Sequence, residues 1–344
     1  MTPTETLAWL VDIPSETGDE RAICDAVSDR LAHLPSRRIN HSLVVGERTG
    51  KPMVLLVGHL DTVPSQGQSP ARVEAGRLYG LGAADMKGGV AVMIHLLEDD
   101  LAEGPYDMVG VFYEAEEGAA IDNGLEPVLR SEAWLSDAEF AVVLEPCDGE
   151  IQVGCNGVVN ARVTFSGKSA HSARPWWGEN AVSKAGEWLA RMHTRPPDPH
   201  VIDGLEYREV MSVTRAIGGI ANNIIPPEFT LNLNYRFSPR RTVEEAVQCL
   251  LDVCDDADEV SIVDSAPAGP VRADHPFVTA LAAASGARLA PKQGWTDVAR
   301  LGVYGIPGVN YGPGSAQQAH QAVEWVDLRD LEATYDALRA VLSR

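Results

Sequence analysis

Three short runs constrain this chain most: MVLLVGH at 53–59, DMVGVFYE at 107–114 and EFAVVLE at 139–145 are apolar almost without interruption. A strand with one wet face alternates polar and apolar residues. Unbroken runs of this length belong instead to strands covered on both faces, as in a parallel sheet with helices on either side. Between the first two, DMKGGVAVMIHLLEDDL reads as a crossover helix, and ERAICDAVSDRLAHL places Ile23, Val27 and Leu31 at helical spacing. This is βαβ grammar, and it predicts an α/β core with functional residues at the carboxyl ends of the strands.

The pattern changes near Gly157. GVVNARVTFSGK and FTLNLNYRFS alternate, the second with Phe229, Leu231, Leu233, Tyr235 and Phe237 on one face and Thr230, Asn232, Asn234 and Arg236 on the other. Antiparallel strands wetted on one side have that pattern. With the helical stretches GENAVSKAGEWLARM and TVEEAVQCLLDVC they suggest an α+β unit of the ferredoxin-like βαββαβ kind over 158–265. From 266 the first pattern resumes in HPFVTALAAAS, IPGVNYG and DLRDLEATYDALRAVL. The expected architecture is a discontinuous α/β domain, 1–157 and 266–344, with a mixed, largely parallel sheet flanked by helices, and a second domain inserted at 158–265.

Charge narrows the partners. With 28 Lys and Arg against 49 Asp and Glu, the net charge is -21, whereas nucleic-acid phosphates and anionic lipids are recognised through basic side chains. Neither nucleic acid nor membrane is expected as a partner. No apolar run has membrane-spanning length, and the first residues, MTPTETLAWLVDIPSETGDE, are acidic and unlike a secretion signal, so a cytoplasmic location is expected. The cysteines (Cys24, Cys147, Cys155, Cys249, Cys254) are scattered without a C-x-x-C pair, which argues against a disulfide framework or a thiolate metal site. In so acidic a chain, an anionic substrate needs arginines gathered locally.

The chemistry stands at the ends of the apolar runs. LLVGHLD delivers His59 and Asp61, GLGAADMKGG delivers Asp85, VFYEAEEG delivers Glu116 and Glu117, AVVLEP delivers Glu145, and QQAHQAVEW adds His320. Carboxylates ending buried strands are costly unless paired or bound to a cation. Imidazole and carboxylate suit Zn²⁺, and two ions about 3.5–4 Å apart need one shared carboxylate. Asp85 is the natural bridge, leaving His59 with Glu145 and Glu117 with His320. Asp61 is placed to accept the other imidazole N–H of His59 and fix its tautomer. Adjacent residues in extended backbone point to opposite sides, so one of Glu116 and Glu117 suits a metal and the other proton transfer from water. Glu114 shares the parity of Glu116 and competes with it.

Taken singly, each residue has an ordinary explanation: a structural His, an Asp85 capping the next helix, a solvated acidic run at 114–117. The recurrence of ligand-type residues at successive segment ends is what favours a two-metal site. A nucleotide-binding reading of GLGAAD is weak, because the third glycine and a following G-K-[ST] are missing.

In this order GHLDTVP, GLGAADMKGG, EAEEG, LEP and AHQ resemble the motifs of the co-catalytic zinc aminoacylase and carboxypeptidase G family, over nearly the whole chain. The resemblance implies two Zn²⁺, with Co²⁺ or Mn²⁺ able to substitute: His59, Asp85 and Glu145 around one, Asp85, Glu117 and His320 around the other. It makes Glu116, not Glu114, the general base. It also implies that 158–265 serves as a dimerisation and lid domain, with His171 of SAHSARP reaching into a partner subunit's site to steady the tetrahedral oxyanion, and hence a homodimer. Asn222 and Asn223 of ANNIIPP, Arg236 of LNYRFS, and Thr296 and Arg300 of GWTDVAR fall where the family holds substrate. The chain departs from many proteobacterial members, which carry a basic residue near the position of Asn156 and the Asp of GWTDVAR one place later; Arg174 or Lys168 is the expected replacement.

The inserted-domain motifs look most like those of members that split N-succinyl-L,L-2,6-diaminopimelate into succinate and L,L-diaminopimelate, so the expected substrate is a small anionic N-acyl amino acid. Deacylases of acetylornithine or N-acyl-lysine type and dipeptidases or carboxypeptidases share the metal core and stand as alternatives. A non-catalytic, metal-stabilised binding protein is the alternative from another class, and the complete ligand set with Glu116 speaks against it.

Overall fold

The structure, a computed structural model, describes residues 1–68, 70–99 and 104–343. Its strands, in chain order, are β1 (Ser36–Ile39), β2 (Ser42–Val45), β3 (Met53–His59), β4 (Arg72–Glu74), β5 (Arg77–Tyr79), β6 (Asp107–Tyr113), β7 (Phe140–Pro146) and β8 (Ile151–Val153). Then come β9 (Gly157–Ser166), β10 (Asp198–Ile202), β11 (Leu205–Gly218), β12 (Glu228–Phe237), β13 (Glu259–Ala266), β14 (Leu289–Pro291), β15 (Gly308–Gly312) and β16 (Trp325–Asp327). Two compact units divide the chain: Met1–Gly154 with Arg272–Ala290 and Arg300–Arg344, and Cys155–Val271 with Pro291–Ala299.

The larger sheet has the order β1-β2-β6-β3-β7-β15-β8-β14. Its centre, β6-β3-β7-β15, is parallel, and β2 and β8 add to it antiparallel. Every residue of β3, β7 and β15 is buried, which is why those segments read as unbroken apolar runs. The crossover helix is Lys87–Glu98; Asp100 and Leu101, the end of the stretch expected to be helical, lie outside the described residues. Glycine lets this helix press on the sheet: a Cβ added to Gly89 would run into the Leu144 carbonyl oxygen. That close approach brings the residues just before the helix up to the carboxyl end of β7. A small sheet, β16-β5-β4, joins the segment before the last helix, Leu328–Leu342, to the loop ahead of Asp85.

In the second unit the sheet runs β10-β11-β12-β9-β13, antiparallel throughout. Without the edge strand β10 this is the ferredoxin-like strand order. Val159, Ala161, Val163 and Phe165 of β9 and Leu231, Leu233, Tyr235 and Phe237 of β12 form its core with Trp188 and Leu250 from the helices. The stretch expected as one helix, GENAVSKAGEWLARM, is two, Ala181–Lys184 and Gly186–Thr194, with the break beside Gly186, a poor helix former.

The second unit also takes in 291–299, a segment whose sequence pattern goes with the first domain. Hydrogen bonds explain its allegiance: Asn156 N–H to Lys292 O at 3.1 Å, Arg208 N–H to the Gln293 side chain at 3.1 Å, and Trp295 Nε1–H to Pro267 O at 3.2 Å.

Candidate metal centre

The centre is assembled from ends of elements in the first unit. His59 is the last residue of β3 and is fully buried. Its Nδ1 lies 3.0 Å from the Asp61 main-chain oxygen and 3.3 Å from Asp61 Oδ1, so that nitrogen carries the proton as donor. Nε2 then faces two carboxylates, Asp85 Oδ1 at 3.1 Å and Glu145 Oε1 at 3.8 Å. Glu145 closes β7, and Asp85 stands just before the crossover helix, whose N-cap is Met86; Asp85 therefore does not cap the helix.

Asp85 turns its second oxygen the other way. Oδ2 lies 3.7 Å from His320 Nε2, and that imidazole sits 2.9 Å from Glu117 Oε2. The ligand atoms of His59, Asp85 and Glu145 fall within 4.8 Å of one another, and so do those of Asp85, Glu117 and His320. The two triads share Asp85, one oxygen toward each histidine.

Asp61 is buried and does more than orient His59. It accepts the backbone N–H groups of Glu116 and Glu117, both at 3.0 Å, and the Thr17 hydroxyl at 2.9 Å. Burial alone would raise its pKa, but the contact with His59 and these N–H groups hold it below the ordinary aspartate value. The Asp61 grip also replaces the alternation expected for Glu116 and Glu117. β6 ends at Tyr113, Ala115 takes a left-handed φ of 58°, and the following bend puts both carboxylates beside His59, their ligand atoms within 4.8 Å. Glu114 leaves this group: its carboxylate accepts the His41 N–H at 3.2 Å.

The donor set suits cations. Burial would depress the pKa of His59, yet hydrogen bonds to Asp61 and Asp85 and the charge of Glu145 outweigh it and hold the pKa well above the ordinary histidine value. Glu117 is shifted up, first by burial and then by repulsion from Asp85. Both groups are crowded by neighbouring carboxylates, and divalent ions among oxygen and imidazole donors would offset that negative charge.

One residue at the centre was not singled out by its sequence. Glu324, buried between β16 and His320, accepts the N–H groups of Gly82 at 2.9 Å, Ala84 at 2.8 Å and Asp85 at 3.0 Å. Burial pushes its pKa up to about 7 in spite of those three donors. Its signal was a lone carboxylate inside the apolar stretch AVEWV, four residues after a ligand-type histidine. The same contacts account for the glycine loop GLGAAD: its backbone N–H groups do form an anion cradle, and the protein's own Glu324 fills it.

The remaining candidates lie mostly in the second unit. His171, Arg174, Asn222 and Asn223 are exposed. The His171 and Asn223 segments are tied together by the Ser172 N–H donating to Asn223 O at 2.9 Å and by a bridge between His171 and Ile224. The Arg174 guanidinium lies 5.0 Å over the Trp177 ring. Arg236 donates from Nε to Asn234 at 3.2 Å, and Thr296 is buried with its hydroxyl bonded to no other described residue. Asn156, where a basic residue was sought, donates to the Arg208 carbonyl at 2.9 Å. Lys168 pairs through its backbone with Glu179. Arg300, in the first unit, is held by Glu126 at 3.1 Å. The cysteines are placed as thiols, that of Cys147 donating to the Glu145 main-chain oxygen at 2.9 Å.

Residues 55–344 match the family model described as Peptidase family M20/M25/M40. A Mycobacterium tuberculosis protein, named provisionally as the succinyl-diaminopimelate desuccinylase DapE, is 41% identical across 99% of this chain and 98% of its own. The succinyl-diaminopimelate desuccinylase of Corynebacterium glutamicum is 35% identical, covering 97% of this chain and 94% of that one. Among solved structures, a Bacillus subtilis protein described as a dinuclear metal binding peptidase superposes with a TM-score of 0.73 at 17% identity, over 99% of this chain and 96% of that chain.

Proposed function

This chain belongs to peptidase family M20/M25/M40, and on that footing we propose that it hydrolyses N-succinyl-L,L-2,6-diaminopimelate to succinate and L,L-diaminopimelate, using two Zn²⁺. The observation that carries the reading is Asp85, whose oxygens face His59 and His320 separately, so that one carboxylate serves both triads. His59, Asp85 and Glu145 hold one ion, and Asp85, Glu117 and His320 the other. Bound there, the ions supply Lewis acidity to the amide carbonyl and acidify water.

The side chains do the rest. Asp61 fixes the His59 tautomer and, through its bonds to the Glu116 and Glu117 N–H groups, the bend that carries the base. Glu116 takes a proton from the attacking water and returns it to the departing amine as the C–N bond breaks. His171, supplied by the second subunit of a homodimer, donates to the oxyanion, and its replacement by Ala is expected to lower kcat about 10²-fold or more with metal content unchanged. A kcat unaltered in His171→Ala removes it from the mechanism.

In this reading Arg236, Arg174 and Arg300 are the candidates to bind the substrate carboxylates, and Asn222, Asn223 and Thr296 the candidates for its other polar groups. The names of the 41% and 35% identical relatives support this substrate class. A cytoplasmic location fits the chemistry, and no helix among the described residues is long and apolar enough to cross a membrane. The decisive assay runs zinc-loaded protein against succinyl-diaminopimelate, acetylornithine and dipeptides in parallel. Succinyl-diaminopimelate should lead in kcat/KM by at least about 10²-fold, since a site built for extra charged groups rejects analogues without them. A preference for dipeptides would refute the substrate and leave the hydrolase standing.

A further inference from the structure

Glu324 lies outside both triads, and among the described residues its carboxylate bonds to backbone N–H groups and to no triad side chain. Its two oxygens instead collect three N–H groups from four consecutive residues, the last being Asp85 itself. Its own carbonyl accepts the Gly80 N–H at 3.2 Å, so side chain and main chain together clamp the turn at 80–85 onto the segment that carries His320. The turn needs such an acceptor because it is buried and tight. Ala83, Ala84 and Asp85 are each buried or partly buried, and Gly82 is left-handed at φ 76°, where an added Cβ would meet the Thr62 side chain at 2.7 Å. N–H groups in such a turn cannot turn to water, and losing their acceptor is expensive.

We propose that Glu324 is a positioning residue for the metal centre: by gripping the backbone at 82–85 it sets the direction of the Asp85 carboxylate, so that each oxygen faces one histidine. The assignment rests on the two-metal reading. On the downstream side the Asp85 backbone is anchored by the crossover helix, which begins two residues later and is pressed on β7 at Gly89. The grip of Glu324 on the upstream side supplies the second fixed point. It also couples the two ions, because the segment that holds the turn carries the His320 ligand.

The test compares wild type with Glu324→Gln and Glu324→Asp. Glutamine keeps the shape but offers one acceptor oxygen and sets an N–H₂ against the converging N–H groups; aspartate keeps the charge and falls one methylene short. Titration of each metal-free protein with Co²⁺ reads affinity and, through the visible absorption spectrum, ligand geometry. Amide hydrogen exchange without metal reads the grip itself. Glu324→Gln is expected to bind Co²⁺ roughly 10–100-fold more weakly, with an altered spectrum, faster exchange confined to 80–86, and a fall in kcat larger than any change in KM. Glu324→Asp should recover part of the affinity. If exchange quickens while Co²⁺ affinity and spectrum stay those of wild type, Glu324 is only structural and the proposal fails. If wild type itself fails to take up two ions, it is the two-metal reading that fails.

Discussion

Glu116→Gln should fold, bind two metal ions with wild-type affinity, and turn over at least about 10²-fold more slowly, the usual cost of losing a general base. Glutamine preserves the shape of the side chain and the backbone N–H that Asp61 holds at 3.0 Å, so the bend at 115–117 survives. What disappears is the ability to accept a proton near His59 and Glu117. The fall is expected in kcat and kcat/KM alike, the pattern of an interaction made only in the transition state. Glu114→Gln is the matched control. Glu114 accepts from His41, away from the triads, so its turnover should stay within about threefold of wild type. Steady-state kinetics with metal analysis decides between them: a fully active Glu116→Gln, or an equal loss in Glu114→Gln, would overturn the choice of base.

The separation of Glu114 from Glu116 also marks where sequence patterning stops being informative. Both have the same parity, and only the left-handed φ at Ala115 and the hold of Asp61 on the next two N–H groups decide which carboxylate joins the site. Parity arguments need extended backbone, and here the strand has ended. The parallel strands, by contrast, were legible because burial on both faces leaves an apolar run that needs no partner to be recognised, and the candidate ligands His59 and Glu145 were legible because they close such runs. β12 showed itself just as clearly through alternation, each inward residue buried in turn. Glu324 was hidden because its partners are backbone N–H groups, which have no identity in the sequence. Arg300 was recognisable as a cation but not as the partner of Glu126, because that pairing joins residues far apart in the chain.

Removing ligands one at a time should distinguish a shared centre from two separate sites. His59→Ala and His320→Ala are each expected to leave about one tightly held ion per chain, with the affinity of the other lowered by more than about 100-fold, beyond the cost of losing a mere hydrogen-bond partner of a ligand. Asp85→Ala should leave neither ion tightly bound, because its oxygens face both histidines, at 3.1 Å and 3.7 Å. The prediction is asymmetric in stability. His59 is fully buried and bonded to Asp61, so its removal should also lower the melting temperature of the metal-free protein; His320, with a side chain 55% exposed, should not. Equilibrium dialysis with zinc, alongside thermal melts in chelator, measures both quantities. If His59→Ala melted lower yet bound two ions as tightly as wild type, His59 would be a structural histidine. An Asp85→Ala protein that kept one ion would mean that the triads bind metal independently, without the carboxylate they share.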